Sequence, residues 1–252
     1  MTPLATAACA AVALGSGALN AVAGGGSFLL FPAMLAAGVA PVDANVATTL
    51  ALWPASVSST LAYRRELRTD PSLGVRLGLV SVAGGLAGAR LLLATPEAYF
   101  VRLVPFMLLG ATVLFTAGPA LTRRLGTSSR SAPRLAGALV FQAFVAAYGG
   151  YFGGGMGILM LASFALVGIE SIHAANALKS LLGVLINGAA SVAFLQSGRG
   201  ELQTTLPVVV AAVMGGYAAA ARARRVDAGR VRRGVTFLAW CTTLGVCGRA
   251  WL

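Results

Sequence analysis

Two runs of three glycines interrupt long apolar stretches, and each could bring backbone N–H groups close to a ligand. They are Gly24, Gly25 and Gly26 in the first half of the chain, and Gly153, Gly154 and Gly155 in the second. A half-helix that begins just after each triplet, at Ser27 or Met156, would direct its positive N-terminal end at that point. The pattern indicates an anion-binding loop, although a kink or a close helix contact would use glycines in the same way.

Polar side chains open the helix that is predicted to follow each triplet. At helical spacing they are Asn45, Thr48 and Thr49 in the first half, and His173, Asn176, Lys179 and Ser180 in the second. Side chains three and four apart share a face, so each set forms a stripe directed at one place. Lys179 is the only lysine, and a charge inside a membrane costs about 2.5 to 3.5 kcal/mol on insertion scales. We therefore favour substrate contact over snorkelling for Lys179. His173 is either an interfacial residue or a ligand contact. The two asparagines either contact the ligand or serve helix packing and capping.

The residues needed for other chemistries are missing from the sequence. Neither triplet continues into the Gly-Lys-Ser/Thr of a nucleotide-binding loop. The chain has one histidine, no His-Glu-x-x-His motif, and three cysteines without metal-ligand spacing, Cys9, Cys241 and Cys247. We therefore expect no cofactor, no metal and no enzymatic activity.

The elements that must position these residues are membrane helices. Of the 252 residues, 58% are hydrophobic and only 10% are charged, and the mean hydropathy is +0.83. A soluble domain carries about 25% charged residues, so this composition suits an apolar solvent. The net charge of +12 lies in short loops between apolar runs, which is typical of cytoplasmic loops and argues against a nucleic-acid partner.

The chain is predicted to be an all-α, polytopic integral membrane protein with about eight apolar runs, two of them broken by glycines. The runs fall into a first membrane repeat at residues 1–121, a basic linker at 122–134 and a second repeat at 135–252. Asn45 and Asn176 occupy matching places in the two halves. Repeats of this kind are common in secondary transporters.

The distribution of arginines predicts how the halves are oriented. Arg-rich segments follow the second, fourth and seventh apolar runs. Each glycine-broken run has about 33 residues, which is about 50 Å of helix against a hydrocarbon core of about 30 Å. If each broken run doubles back, all three Arg-rich segments share the cytoplasmic side, both termini face outward and the halves are inverted.

At these residues the chain resembles the sulfite exporter TauE/SafE family of membrane transporters. The resemblance is carried by the stretch from Gly24 to Pro32 with Gly38 and the Ala44–Thr49 segment, and by the second triplet with Gly157 and the Asn176–Ser180 segment. It implies transport of small anions, often sulfur-containing ones. The sequence departs from the family pattern at Ser163, near the position of an expected proline, which leaves the shape of the second half-helix open.

Together these features predict a secondary transporter that exports a small anion, and the family resemblance implies that this anion is sulfite, a sulfonate or another organosulfur compound. The alternative is a non-catalytic membrane subunit or a transporter of an unrelated solute. The expected partners are a small anion and the lipid bilayer, in a multi-pass arrangement in a bacterial inner membrane; the oligomeric state is left open. The predicted substrate-binding residues are Gly24, Gly25, Gly26, Ser27, Asn45, Thr48, Thr49, Gly153, Gly154, Gly155, Asn176, Lys179 and Ser180.

Overall fold

The computed structural model describes residues 2–23, 25–63, 67, 70–125, 132–166, 169, 171–199, 202–222 and 228–251. Within these ranges the chain forms α-helices and no strand. The helices are α1 (Pro3–Ala23), α2 (Ser27–Ala36), α3 (Pro41–Tyr63), α4 (Pro71–Ala94), α5 (Glu97–Leu125), α6 (Ala132–Tyr151), α7 (Met156–Leu166), α8 (Ile172–Gln196), α9 (Leu202–Arg222) and α10 (Ala228–Trp251).

Several of these helices have the length and composition of membrane spans. Among the described residues, four stretches qualify: Pro3–Ala21, Pro71–Ala94, Glu97–Ala117 and Ala174–Gln196. Large apolar side chains such as Phe144 and Phe237 are about 70% exposed, as expected where lipid replaces water. The predicted all-helical, polytopic membrane fold is confirmed.

Each glycine triplet separates a long helix from a short one that turns back along it. In the first pair, Cys9 Sγ on α1 lies 3.8 Å from the Ala33 carbonyl oxygen on α2. In the second pair, Ser163 Oγ on α7 lies 3.4 Å from Gln142 Oε1 on α6. The short helices have 10 and 11 residues, about 15 Å of helix, which is half of a hydrocarbon core. Both broken runs are therefore re-entrant hairpins, and α7 forms without the expected proline.

The two hairpins enter the bundle from opposite ends. At one end, Arg199 after α8 contacts Asp43 at the start of α3 and Glu97 at the start of α5, at 3.4 and 3.9 Å. The first hairpin opens toward this end, because α2 leads directly into α3. The second hairpin opens toward the other end, where α8 begins. The glycine breaks consequently point toward the middle of the bundle from opposite sides.

Close contacts between small residues join the two halves. A Cβ on Gly17 of α1 would collide with the Ala212 backbone of α9, and one on Gly88 of α4 would collide with the Ala147 backbone of α6. Small residues allow helices to approach this closely in a membrane. The α1–α9 and α4–α6 pairs correspond when the two predicted halves are exchanged.

The proposed boundaries of the repeats at 1–121, 122–134 and 135–252 remain a prediction. Helix α5 continues to Leu125 and α6 begins at Ala132, so helices occupy part of the predicted linker. Residues 126–131 lie outside the described part of the chain.

Candidate functional site

A small cavity lies between the two glycine breaks. Its walls come from α2, α3, α5 and the loop between α6 and α7, and its lining residues are Ser27, Phe28, Phe31, Asn45, Leu108, Phe152 and Gly154. Three of the predicted site residues, Ser27, Asn45 and Gly154, are thus brought together from both halves of the chain. The surface exposed inside the cavity is apolar, because three phenylalanines and Leu108 share the walls with these three residues.

The second glycine break is a tight loop that only glycine fits without strain. The Tyr148 carbonyl accepts hydrogen bonds from the N–H groups of Phe152 and Gly153, at 2.9 and 3.2 Å, and this ends α6. Gly153 and Gly155 have φ values of +81° and +73°, which other residues rarely adopt. A Cβ on Gly155 would also lie 3.2 Å from the Ala111 carbonyl oxygen of α5.

The three carbonyl oxygens of the second glycine triplet accept hydrogen bonds, and two of its N–H groups have no acceptor among the described residues. The Gly153 and Gly155 carbonyls accept from Met156 and Ile158 at 3.4 and 3.0 Å, and the Gly154 carbonyl accepts from the Tyr148 hydroxyl at 2.6 Å. Among the described residues, no acceptor contacts the N–H of Gly154 or Gly155, although both residues are buried. Successive open N–H groups at a helix start form an anion-binding arrangement.

The first glycine break has open N–H groups as well, but tighter packing. Gly25 and Gly26 accept from the first turn of α2, and within the described chain the N–H groups of Gly26 and Ser27 have no acceptor. A Cβ on Gly25 would lie 2.6 Å from Val235, and one on Gly26 would collide with the Ser16 backbone. These two glycines therefore permit helix packing and do not line the cavity. Gly24 lies outside the described residues.

Asn45 links the cavity to the end of the second hairpin's long helix. Its side chain is 2% exposed, and Nδ2 donates to the Tyr151 carbonyl oxygen at 2.9 Å. Thr49 donates back to the Asn45 carbonyl oxygen at 3.0 Å. The buried Thr48 hydroxyl has no hydrogen-bond partner in the part of the protein that is described. Neither threonine lines the cavity.

Lys179 and its neighbours form a second group beside the start of α7. Lys179 Nζ donates to Asn176 Oδ1 at 3.1 Å, and the Ser180 hydroxyl donates to the Asn176 carbonyl oxygen at 2.9 Å. The aliphatic part of Lys179 runs along Gly157, where a Cβ would lie 3.1 Å from Lys179 Cδ. None of these polar residues lines the cavity itself. The side chain of His173 is outside the described part of the structure.

Aromatic residues around the cavity are functional candidates that the sequence reasoning missed. Phe31 meets Phe152 edge to face, with ring centroids 5.5 Å apart and an interplanar angle of 88°. Phe28 makes a similar contact with Phe115 on α5, also at 5.5 Å. Each of these pairs joins a hairpin to another element. The sequence feature that could have indicated them is the presence of phenylalanines within a few residues of each triplet.

Broken helices that meet near the middle of a helical bundle are typical of secondary transporters. The sulfite exporter TauE/SafE family matches residues 9–246 of the chain. The chain therefore belongs to the sulfite exporter TauE/SafE family, as the resemblance implied, and is a multi-pass protein of the bacterial cell membrane.

Bacterial relatives are similar over much of the chain. "Probable membrane transporter protein ORF9" of Sinorhizobium sp is 28% identical over 66% of this chain and 60% of its own length. "Probable membrane transporter protein YfcA" of Escherichia coli K12 is 26% identical over 81% of this chain and 75% of its own. A membrane transporter protein of Haemophilus influenzae, also named as probable, is 29% identical over 72% and 70%. No solved structure matches the chain.

Proposed function

We propose that this protein is a secondary transporter that exports a small anion, with sulfite, sulfonates and other organosulfur anions as the substrate class. The proposal is carried by one observation: Ser27 and Gly154, at the starts of α2 and α7, line a single cavity, and N–H groups at both helix starts have no acceptor among the described residues. The sulfur-containing class comes from the family name. The anionic character comes from the site.

Both helix starts are electropositive. Each carries the equivalent of about +0.5 elementary charge, concentrated on its unpaired N–H groups. Ser27 and Gly154 bring both starts to the cavity wall, where low dielectric strengthens their effect. An anion placed there gains hydrogen bonds and favourable charge from both halves of the chain, whereas a cation would be repelled by both.

The polar groups outside the cavity are proposed to serve the path that leads to it. Lys179, Asn176 and Ser180 lie on α8, where Lys179 packs beside the start of α7, the helix whose first N–H groups would face the anion. Thr48 and Thr49 lie one turn from Asn45 on α3. A cationic ammonium and hydroxyl donors close to the second break would favour an anion that approaches or leaves the cavity.

The aromatic lining sets how the substrate would pass. Phe31 and Phe152 are in contact across the cavity, so an anion larger than a water molecule requires one of them to move. Because the hairpins enter from opposite ends, movement at each hairpin would open the cavity to a different side. This is the alternating access that a secondary transporter needs.

The test is flux into liposomes that contain the purified full-length protein. Uptake of labelled sulfite is measured against concentration, with unlabelled sulfate, sulfoacetate and chloride as competitors and protein-free liposomes as the blank. The proposal predicts saturable uptake that sulfoacetate, the organosulfur anion among the competitors, inhibits. Absence of saturable flux for every anion would instead favour a non-catalytic membrane subunit.

A further inference from the structure

The Tyr148 hydroxyl donates to the Gly154 carbonyl, which receives no backbone N–H within the described chain. The carbonyls of Gly153 and Gly155 accept from the first turn of α7. Among the described residues, the Gly154 carbonyl has a single donor, the Tyr148 hydroxyl at 2.6 Å. This distance is at the short end of the range for O–H···O hydrogen bonds.

The position of that carbonyl matters because Gly154 lines the cavity. A free carbonyl oxygen there would present a partial negative charge to a bound anion and would oppose the open N–H groups of Gly154 and Gly155. The Gly154 carbonyl is engaged by Tyr148, and the nearby Tyr151 carbonyl is engaged by Asn45 at 2.9 Å. Within the described chain, the N–H groups of Gly154 and Gly155 have no acceptor.

We propose that Tyr148 is a positioning residue that sets the preference of the cavity for anions by holding the Gly154 carbonyl. The inference rests on the proposed function and adds a residue that determines specificity. Tyr148 acts through the backbone of Gly154 and does not itself line the cavity. Its backbone carbonyl also accepts from Phe152 and Gly153, so one residue fixes three groups of the loop.

The sequence has no tyrosine at the matching position before the first glycine break. Tyr148 lies five residues before Gly153, and the residue five positions before Gly24 is Leu19. Leucine has no group that could engage a loop carbonyl. The second break is therefore the half of the site in which a side chain controls the balance of donors and acceptors.

The test removes the hydroxyl and keeps the ring. Tyr148→Phe preserves the ring contact with Phe152, whose centroid is 6.4 Å away, and frees the Gly154 carbonyl. In the liposome assay with labelled sulfite we expect KM to rise about tenfold, which corresponds to about 1.4 kcal/mol, with the maximal rate changed less than threefold. Tyr217→Phe is the matched control, because Tyr217 is 71% exposed on α9, and its KM should equal that of the wild type.

A second variant separates the hydrogen bond from the shape of the ring. Tyr148→p-aminophenylalanine keeps an N–H donor at the same ring position and is expected to bring KM back to within about threefold of the wild-type value, a difference below about 0.7 kcal/mol. An unchanged KM in Tyr148→Phe, or a KM equally high in both variants, overturns the role of Tyr148. If the wild-type protein itself shows no saturable sulfite flux, the proposed function fails first, and the two failures are distinguished.

Discussion

Replacing Gly155 with alanine should damage both the stability and the activity of the protein. Gly155 has a φ of +73°, and an alanine in this region costs about 1–2 kcal/mol. The added Cβ would also lie 3.2 Å from the carbonyl oxygen and 3.4 Å from the Cα of Ala111. These are backbone atoms of α5, so they cannot move aside as a flexible side chain would. We expect a total loss of about 2 kcal/mol or more.

The assay is thermal unfolding in detergent, followed by sulfite flux in liposomes. For a chain of this size, about 2 kcal/mol lowers the melting temperature by about 4 to 8 °C. Gly137→Ala is the matched control, since a Cβ on Gly137 of α6 meets no atom within 4 Å. Alanine there should stabilise the helix by up to about 1 kcal/mol and leave flux unchanged. Wild-type stability and flux in Gly155→Ala would refute the strained-loop account.

Three further outcomes follow from the same structure. Asn45→Leu removes the side-chain donor to the carbonyl of the half-buried Tyr151, so it should destabilise the protein by about 1 kcal/mol and reduce flux. Flux kept at the wild-type level would contradict a role for Asn45 in transport. Lys179→Met keeps the packing against Gly157 but removes the charge, so it should raise KM for sulfite more than Lys179→Arg does, and equal KM values would argue against a charge effect. The charge-based orientation places Arg199 outside the cell and Arg76, near the start of α4, on the cytoplasmic side. In intact cells that express a variant with the three cysteines replaced, Arg199→Cys should react with an impermeant maleimide, whereas Arg76→Cys should react only after permeabilisation. The reverse pattern would overturn this orientation.

The architecture was accessible from the sequence because lipid imposes strong rules on composition and length. Apolar runs located the helices, and runs too long for one span predicted the two hairpins at the glycine triplets. The placement of arginines then predicted hairpins that enter from opposite ends. Each of these inferences uses local composition, which a single sequence contains.

The arrangement of the site was less accessible because it depends on contacts between distant parts of the chain. Asn45 contacts Tyr151 across 106 positions, and no periodicity indicates such a pair. The sequence predicted that the polar stripes of both halves face one common site. Of the residues in these stripes that the structure describes, Asn45 lines the cavity, whereas Lys179 lies beside α7. Tyr148 was missed because a tyrosine in an apolar run is also typical of ordinary helix packing.

The central claim is that the cavity selects negative charge, and competition against labelled sulfite tests it most directly. Sulfoacetate is an organosulfur anion, whereas dimethyl sulfone carries sulfonyl oxygens without a charge. The account predicts that sulfoacetate inhibits uptake with a saturable dependence, and that dimethyl sulfone has no effect at about a hundredfold higher concentration. Equal inhibition by both compounds would contradict a site built from two helix N-termini.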